Sequence, residues 1–186
     1  MRYEPEHKAH TRDRIVRNAA RKLRAEGLNG PGVAGVMKAS GLTVGGFYKH
    51  FRSKHELFAE AIAQAFSDSE KVYSSLQNVP REDRWKEIVR LYLLPEHCDH
   101  PDTGCPVATL APEIARAKFS IRKRIAGLMK EWVEFMPGAT ARERERNLFV
   151  IYSAMAGAIS IARILTDPAD RQKLLASVRD HLLQSL

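Results

Sequence analysis

Apolar residues in this chain recur at spacings of three and four, and no segment alternates with period two, so the sequence specifies helices and offers nothing for a sheet. An all-α fold of about nine helices is the expectation. From Thr11 to Glu26, Ile15, Val16, Ala19, Ala20 and Leu23 share one face, while Arg14, Arg17, Arg21 and Arg24 form a basic stripe on another. Gly27 ends that helix. Val33 to Ala39 reads as a short second helix, Ser40-Gly41-Leu42 breaks it, and Thr43 to about Phe51 reads as a third, with Phe47 and Phe51 four apart. Helix, tight glycine turn, helix is a helix-turn-helix unit.

Punctuation sets out the remaining helices. Ser53-Lys54-His55-Glu56 has the form of a capping box and opens a long helix with Leu57, Phe58, Ala61, Ile62, Ala65 and Phe66 facing inward, which Pro80 stops. Glu82 to Leu94 is a further amphipathic helix, and Pro95 to Thr103 is expected to be a polar loop. Pro106 and Pro112 suit the first turns of two successive helices, the second reaching about Met136. Thr140-Ala141-Arg142-Glu143 is a second capping box, opening a helix to about Leu165, and Asp167-Pro168 starts the last one.

Charge divides the chain unevenly. Its formal net charge is +8, and residues 1–54 hold twelve of the 30 Lys and Arg against four of the 22 acids, which leaves eighteen of each sign in the rest. A basic head on a neutral body is the electrostatic footprint of a polyanion-binding protein. The domain division expected is therefore 1–54, a helix-turn-helix head, and 55–186, a helical body for ligand binding and dimerisation. The most apolar stretch, Leu148 to Leu165, is broken by Ser153, Gly157, Ser160 and Arg163, so no membrane association is expected. Without an apolar leader near Met1, and with two cysteines unable to staple a fold of 186 residues, a cytoplasmic protein with free thiols is expected.

Two glycine patterns point to phosphate. Gly30-Pro31-Gly32-Val33-Ala34-Gly35 has the G-x-G-x-x-G form of a dinucleotide site, but that fingerprint follows a buried strand, and here an arginine-striped helix precedes it. No cofactor is expected. Gly45 and Gly46, at the start of the third helix, each cost about 1 kcal/mol relative to alanine. Missing side chains let the backbone approach another surface, and amides at a helix start favour phosphate. Phe47 and Phe51 turn to the core, which leaves Tyr48, Lys49 and His50 outward, with Lys54 nearby.

The run Gly41-Leu42-Thr43-Val44-Gly45-Gly46-Phe47-Tyr48-Lys49-His50-Phe51-Arg52-Ser53-Lys54-His55-Glu56-Leu57 closely resembles the signature of TetR-family transcriptional regulators. The similarity covers residues 10–60 closely, and Gly104-Cys105-Pro106-Val107-Ala108 resembles a segment of some members. The resemblance implies that Thr43, Val44, Gly45, Gly46 and Lys49 face bases or sugars in the major groove, and that Tyr48, His50 and Lys54 grip phosphates. Val44 stands where a polar residue is common in the family, so a thymine methyl becomes its natural contact. Gly32 replaces a Ser or Thr that caps the second helix in many members.

In the body, Trp85, Tyr92, Phe119, Met129, Trp132, Tyr152 and Met155 are bulky residues on the central helices, and with the resemblance they imply an apolar effector cavity. Ala154, Ala156, Gly157, Ala158, Ser160 and Ala162 make the penultimate helix small-sided, and Leu174, Leu175, Val178 and Leu182 lie on the last. By family analogy these two helices form a four-helix dimer interface. The loop from His97 to Cys105 reads first as a polar surface loop with Cys105 packed at a helix start; Cys98 and Cys105 are the second reading, as a redox disulfide, and a soft metal held by the loop's histidines, thiols and acids is the third, so no metal is expected.

The expected function is thus a non-enzymatic, ligand-responsive transcriptional repressor. It binds a palindromic double-stranded DNA operator as a homodimer and is released by a small apolar or aromatic effector. Its rivals are a cysteine-based redox or electrophile sensor, a helical small-molecule-binding protein or enzyme, and a basic module for membranes or acidic proteins.

Overall fold

The structure, a computed structural model, describes residues 5–27, 30 and 32–186. Nine α-helices and no strand occur among them: α1 (Pro5–Glu26), α2 (Gly32–Ala39), α3 (Lys54–Val72), α4 (Arg84–Tyr92), α5 (Pro95–Asp99), α6 (Pro106–Ala115), α7 (Phe119–Lys130), α8 (Ala141–Ala162) and α9 (Pro168–Ser185). Short 3-10 turns link them, including Val44–Lys49 between α2 and α3. No helix of the described residues is long and apolar enough to cross a membrane.

Three apolar clusters organise these elements. Ile15, Val16, Ala19 and Ala20 of α1 pack with Val36 and Met37 of α2, with Phe47 and Phe51, and with Leu57, Ala61 and Ala65 of α3. The opposite side of α3 gives Phe58, Ile62 and Phe66 to a second cluster with Leu110 of α6 and Ile125 of α7. The third and largest cluster joins α4, α8 and α9 through Ile88, Val89, Ile151, Met155, Ile159, Leu175 and Leu182. α3 is therefore shared, apolar on two sides, and ties the N-terminal helices to the body.

Several expectations change in detail. The Pro95–Thr103 loop contains α5, which begins with Pro95 in its first turn; Arg163, which caps the end of α8, donates to the carbonyls of His97 and Cys98 at 2.9 and 3.0 Å, satisfying the end of a helix too short to hold itself. Pro112 lies inside α6 rather than starting a helix. Proline offers no N–H to the Ala108 carbonyl four residues back, and the Ser160 hydroxyl donates to that carbonyl instead, at 2.7 Å. On α8, Ala156, Ala158 and Ala162 are buried in the chain's own core, as are Leu175 and Leu182 of α9. Phe149, Val150, Ile161 and Ile164 are the large apolar residues that α8 and its end leave exposed.

Candidate nucleic-acid interface and effector cavity

The helix-turn-helix is held from within. In its turn the Ser40 amide donates to the Val36 carbonyl (3.0 Å), the Leu42 amide to Met37 (2.9 Å), and the Ser40 hydroxyl to Val36 (2.8 Å). Gly41 has φ +67°, a conformation that a Cβ disfavours. Asn18 of α1 donates to the Ala39 carbonyl and to Ser40 Oγ, pinning the turn to α1. Gly32 has φ +61°, so a Ser or Thr cap in its place would be strained. Pro31, the middle of the dinucleotide-like pattern, lies outside the described residues, and the element before that pattern is α1, not a strand.

The segment after the turn is a 3-10 helix over Val44–Lys49 rather than an α-helix to Phe51, in keeping with two glycines that contribute little helix propensity. Phe47 and Phe51 are buried and stack with centroids 5.5 Å apart. Arg12 secures the far end: it pairs with Glu60, lies 3.5 Å from Glu56, sets its guanidinium 4.6 Å from the Phe51 ring centre and donates to the His50 carbonyl. Opposite these anchors, Thr43, Val44, Gly45, Tyr48, Lys49 and Lys54 are exposed, Val44 at 52% and Tyr48 at 78%. The Thr43 hydroxyl makes no capping bond. His50 is half-buried with Nδ1 unbonded; burial, then the charges of Lys8, Arg12 and Lys49, lowers its pKa and keeps the ring neutral at neutral pH.

Nothing among the described residues explains Gly45 and Gly46. Neither has a positive φ; a Cβ on Gly45 would meet nothing within 4 Å, and one on Gly46 would make an ordinary 3.6 Å contact with Met37.

The capping box at Ser53 forms in part. Ser53 Oγ accepts from the Glu56 amide at 3.2 Å, but the Glu56 carboxylate accepts from the Arg52 amide at 2.7 Å rather than from Ser53. The stripe on α1 also divides. Arg14 and Arg17 are exposed, Arg21 pairs with Asp102 at 2.7 Å, and Arg24 is turned inward at 1% exposure. Arg24 donates to the carbonyls of Ala20, Ala65 and Gly104 and lies 3.4 Å from Asp68. Burial lowers its pKa, and Asp68 opposes that shift.

Gly104, whose carbonyl Arg24 holds, is one of the residues lining a cavity of roughly 290 Å³. Of the residues put forward for an effector cavity, Tyr92, Trp132, Tyr152 and Met155 line it, together with Phe66, Met136, His97 and Cys105. Trp85 is buried but lies outside the lining, as does Met129, and Phe119 stands 71% exposed on the surface. His97 is fixed at both nitrogens, Nδ1 against the Tyr92 carbonyl at 2.7 Å and Nε2 accepting from the Cys105 amide at 2.8 Å. Burial lowers its pKa. A side chain at Gly104 would collide with that ring at 2.7 Å, which accounts for the glycine. Cys105 Sγ lies 3.2 Å from the Tyr152 hydroxyl, while Cys98 is buried outside the lining with its pKa raised by burial. No group of three His, Cys, Asp or Glu side chains suited to a metal occurs among the described residues. The sequence carried no local sign of Arg12, Arg24 or His97 as anchors, because their partners lie far along the chain.

Residues 15–61 match the family model described as bacterial regulatory proteins, tetR family. A TetR transcriptional regulator from Chloroflexus aurantiacus is similar over 96% of this chain and 95% of its own, with 24% identity and a TM-score of 0.78. A TetR-family regulator from Cytophaga hutchinsonii is similar over 95% of each chain, at 19% identity and a TM-score of 0.76. NemR from E. coli, in its reduced form, shares 16% identity over 93% of this chain and 95% of its own, with a TM-score of 0.73. No curated protein matches the chain in sequence. Residues 15–61 thus carry a TetR-family N-terminal domain, and the fold of nearly the whole chain is that of the TetR-family regulators it resembles.

Proposed function

We propose that this protein is a TetR-family transcriptional regulator, a ligand-responsive repressor with residues 1–54 as its DNA-binding domain and 55–186 as its effector and dimerisation domain. The reading rests on Gly45 and Gly46, whose missing side chains serve no packing or backbone need among the described residues. A duplex pressed against Val44–Lys49 supplies the need. Thr43, Val44, Gly45, Gly46 and Lys49 meet bases and sugars, Val44 offers a methyl-to-methyl contact with thymine, and Tyr48, His50 and Lys54 hold phosphates.

Two copies joined through α8 and α9, with Phe149, Val150, Ile161 and Ile164 covered, set two such elements about 34–36 Å apart for a palindromic operator. An apolar or aromatic effector entering the cavity meets Tyr92, Trp132, Tyr152 and Met155 and presses on the Thr103–Cys105 wall. Arg24 and Arg21 carry a shift of that wall to α1, since they hold Gly104 and Asp102. The effector acts only through its different affinity for the two arrangements.

The test is fluorescence anisotropy with DNA from upstream of the protein's own gene. Palindrome-dependent binding that weakens steeply with salt supports the reading, and indifference to base sequence removes it.

A second reading concerns the thiol. Cys105 lines the cavity beside the Tyr152 hydroxyl, so an electrophile or oxidant that enters reaches it before Cys98. Mass spectrometry after N-ethylmaleimide or mild oxidation must find modified Cys105, or a Cys98–Cys105 link, together with altered DNA affinity; an unmodified Cys105 discards this route.

A further inference from the structure

The body's neutral total charge conceals a local excess. From Ile114 to Lys130 the chain carries six cations (Arg116, Lys118, Arg122, Lys123, Arg124 and Lys130) and no acid. On α7, Ile121, Ile125, Leu128 and Met129 pack inward, so Phe119, Lys123 and Lys130 share the opposite ridge, with Arg122 and Arg124 on its flanks. All six cations are exposed. Among the described residues only Lys130 has a carboxylate partner, Glu145 at 2.8 Å. Phe119, 71% exposed, lies beneath the Arg122 guanidinium at 5.9 Å from the ring centre. Ser120, Ala126 and Gly127 keep the ground between them low, and a Cβ at Gly127 would meet nothing. Unmatched like charges crowded on one helix repel one another, so folding gains nothing from this arrangement.

We infer that this face of α6 and α7 is a second DNA-backbone surface, which holds phosphates flanking the base pairs read by the helix-turn-helix. Continuity with the head selects DNA over other polyanions. Ile121 and Ile125 share a cluster with Phe58 and Ile62 of α3, and Phe58 lies one helical turn beyond Lys54. Packed helix axes lie about 8–10 Å apart, so α7 runs beside the turn of α3 that follows Lys54, with its basic ridge on the outer side of the pair. At the end of α6, Glu113 Oε1 stands 3.4 Å from the position of a Cβ on Gly27, at the end of α1. A duplex on the head presents a phosphate every ~3.4 Å of each strand as it continues past that edge. This inference rests on the DNA-binding reading above and enlarges its footprint.

The experiment compares full-length wild type, K118Q/R122Q/K123Q, and a control with three exposed cations removed elsewhere, R90Q/R142Q/K173Q. Anisotropy with a labelled mixed-sequence duplex of about 40 base pairs, between about 50 and 200 mM KCl, gives the slope of log affinity against log salt. The α7 variant is expected to lose about 2.7 from the magnitude of that slope, at about 0.9 per phosphate contact, while the control keeps the wild-type slope. Equal slopes for the two variants overturn the inference. So does an unchanged duplex slope with lost binding to phosphatidylserine vesicles, which reassigns the face to a membrane surface. If wild type itself fails to bind duplex, the DNA-binding reading falls and takes this one with it.

Discussion

Alanine at position 45 separates what the chain needs from what its partner needs. The backbone at Gly45 has no positive φ, and the added Cβ finds nothing within 4 Å, so the folded protein accommodates it without strain. Replacing glycine with alanine in a helical turn removes about 0.5–1 kcal/mol of conformational entropy cost. For a chain of this length, that raises Tm by about 1–4 °C. On the duplex side the methyl group stands where the backbone is meant to approach. Overpacking a close interface costs about 1–3 kcal/mol, which corresponds to a loss of roughly 5- to 150-fold in affinity. Gly45→Ala is therefore expected to melt at or above the wild-type temperature by differential scanning fluorimetry and to bind DNA at least about fivefold more weakly by anisotropy. A lower Tm with unchanged affinity would refute the reasoning, because it would mean that the glycine serves the fold.

Arg24→Ala strips donors from the Ala65 and Gly104 carbonyls and a partner from Asp68, which keeps partial access to water. A stability loss of about 2–3 kcal/mol is expected, read as a Tm lower by about 4–12 °C, and a change under about 1 °C contradicts the buried geometry. His97 has a lowered pKa in the folded chain, so below about pH 6.5 the unfolded chain binds a proton that the folded one resists. Stability should hold near pH 7.5 and fall as pH drops through 6.5 toward the lower folded value. His97→Gln should flatten that part of the Tm profile, and an identical profile in the variant assigns the loss to other groups. Ile161→Glu places a charge on the exposed apolar face of α8 and should give a folded monomer by sedimentation velocity, with weakened DNA binding; a persisting dimer moves the interface elsewhere.

What local sequence could show, it showed well. The Thr140 box forms reciprocally, with the Glu143 amide donating to Thr140 Oγ1 at 3.2 Å and the Thr140 amide donating to Glu143 at 2.9 Å. Asp167 caps α9 through the Ala169 amide at 2.8 Å. Both need only residues within four positions. The misplaced features depend on distant partners: α5 on Arg163, 65 residues away, and the helical setting of Pro112 on the Ser160 hydroxyl. Bulk and the family resemblance put Tyr92, Trp132, Tyr152 and Met155 forward for a cavity, yet they could not separate a cavity wall from solid core at Trp85, or foresee that α7 turns Phe119 outward. Counting charge over residues 1–54 and over the rest likewise showed the basic N-terminal excess and passed over the basic face of α7, where equal numbers elsewhere cancelled it. The Arg14–Arg24 stripe looked uniform because spacing fixes a face of a helix but does not say which end another helix covers.

The most direct test is selection of bound sites by the full-length protein from a pool of randomised duplexes. The account predicts enrichment of an inverted repeat with half-sites about one helical turn apart, and loss of that enrichment with Thr43→Ala and Lys49→Ala combined. Recovery of a pool with no common sequence, or the same repeat from the double variant, would contradict the assignment of Val44–Lys49 as the element that reads DNA.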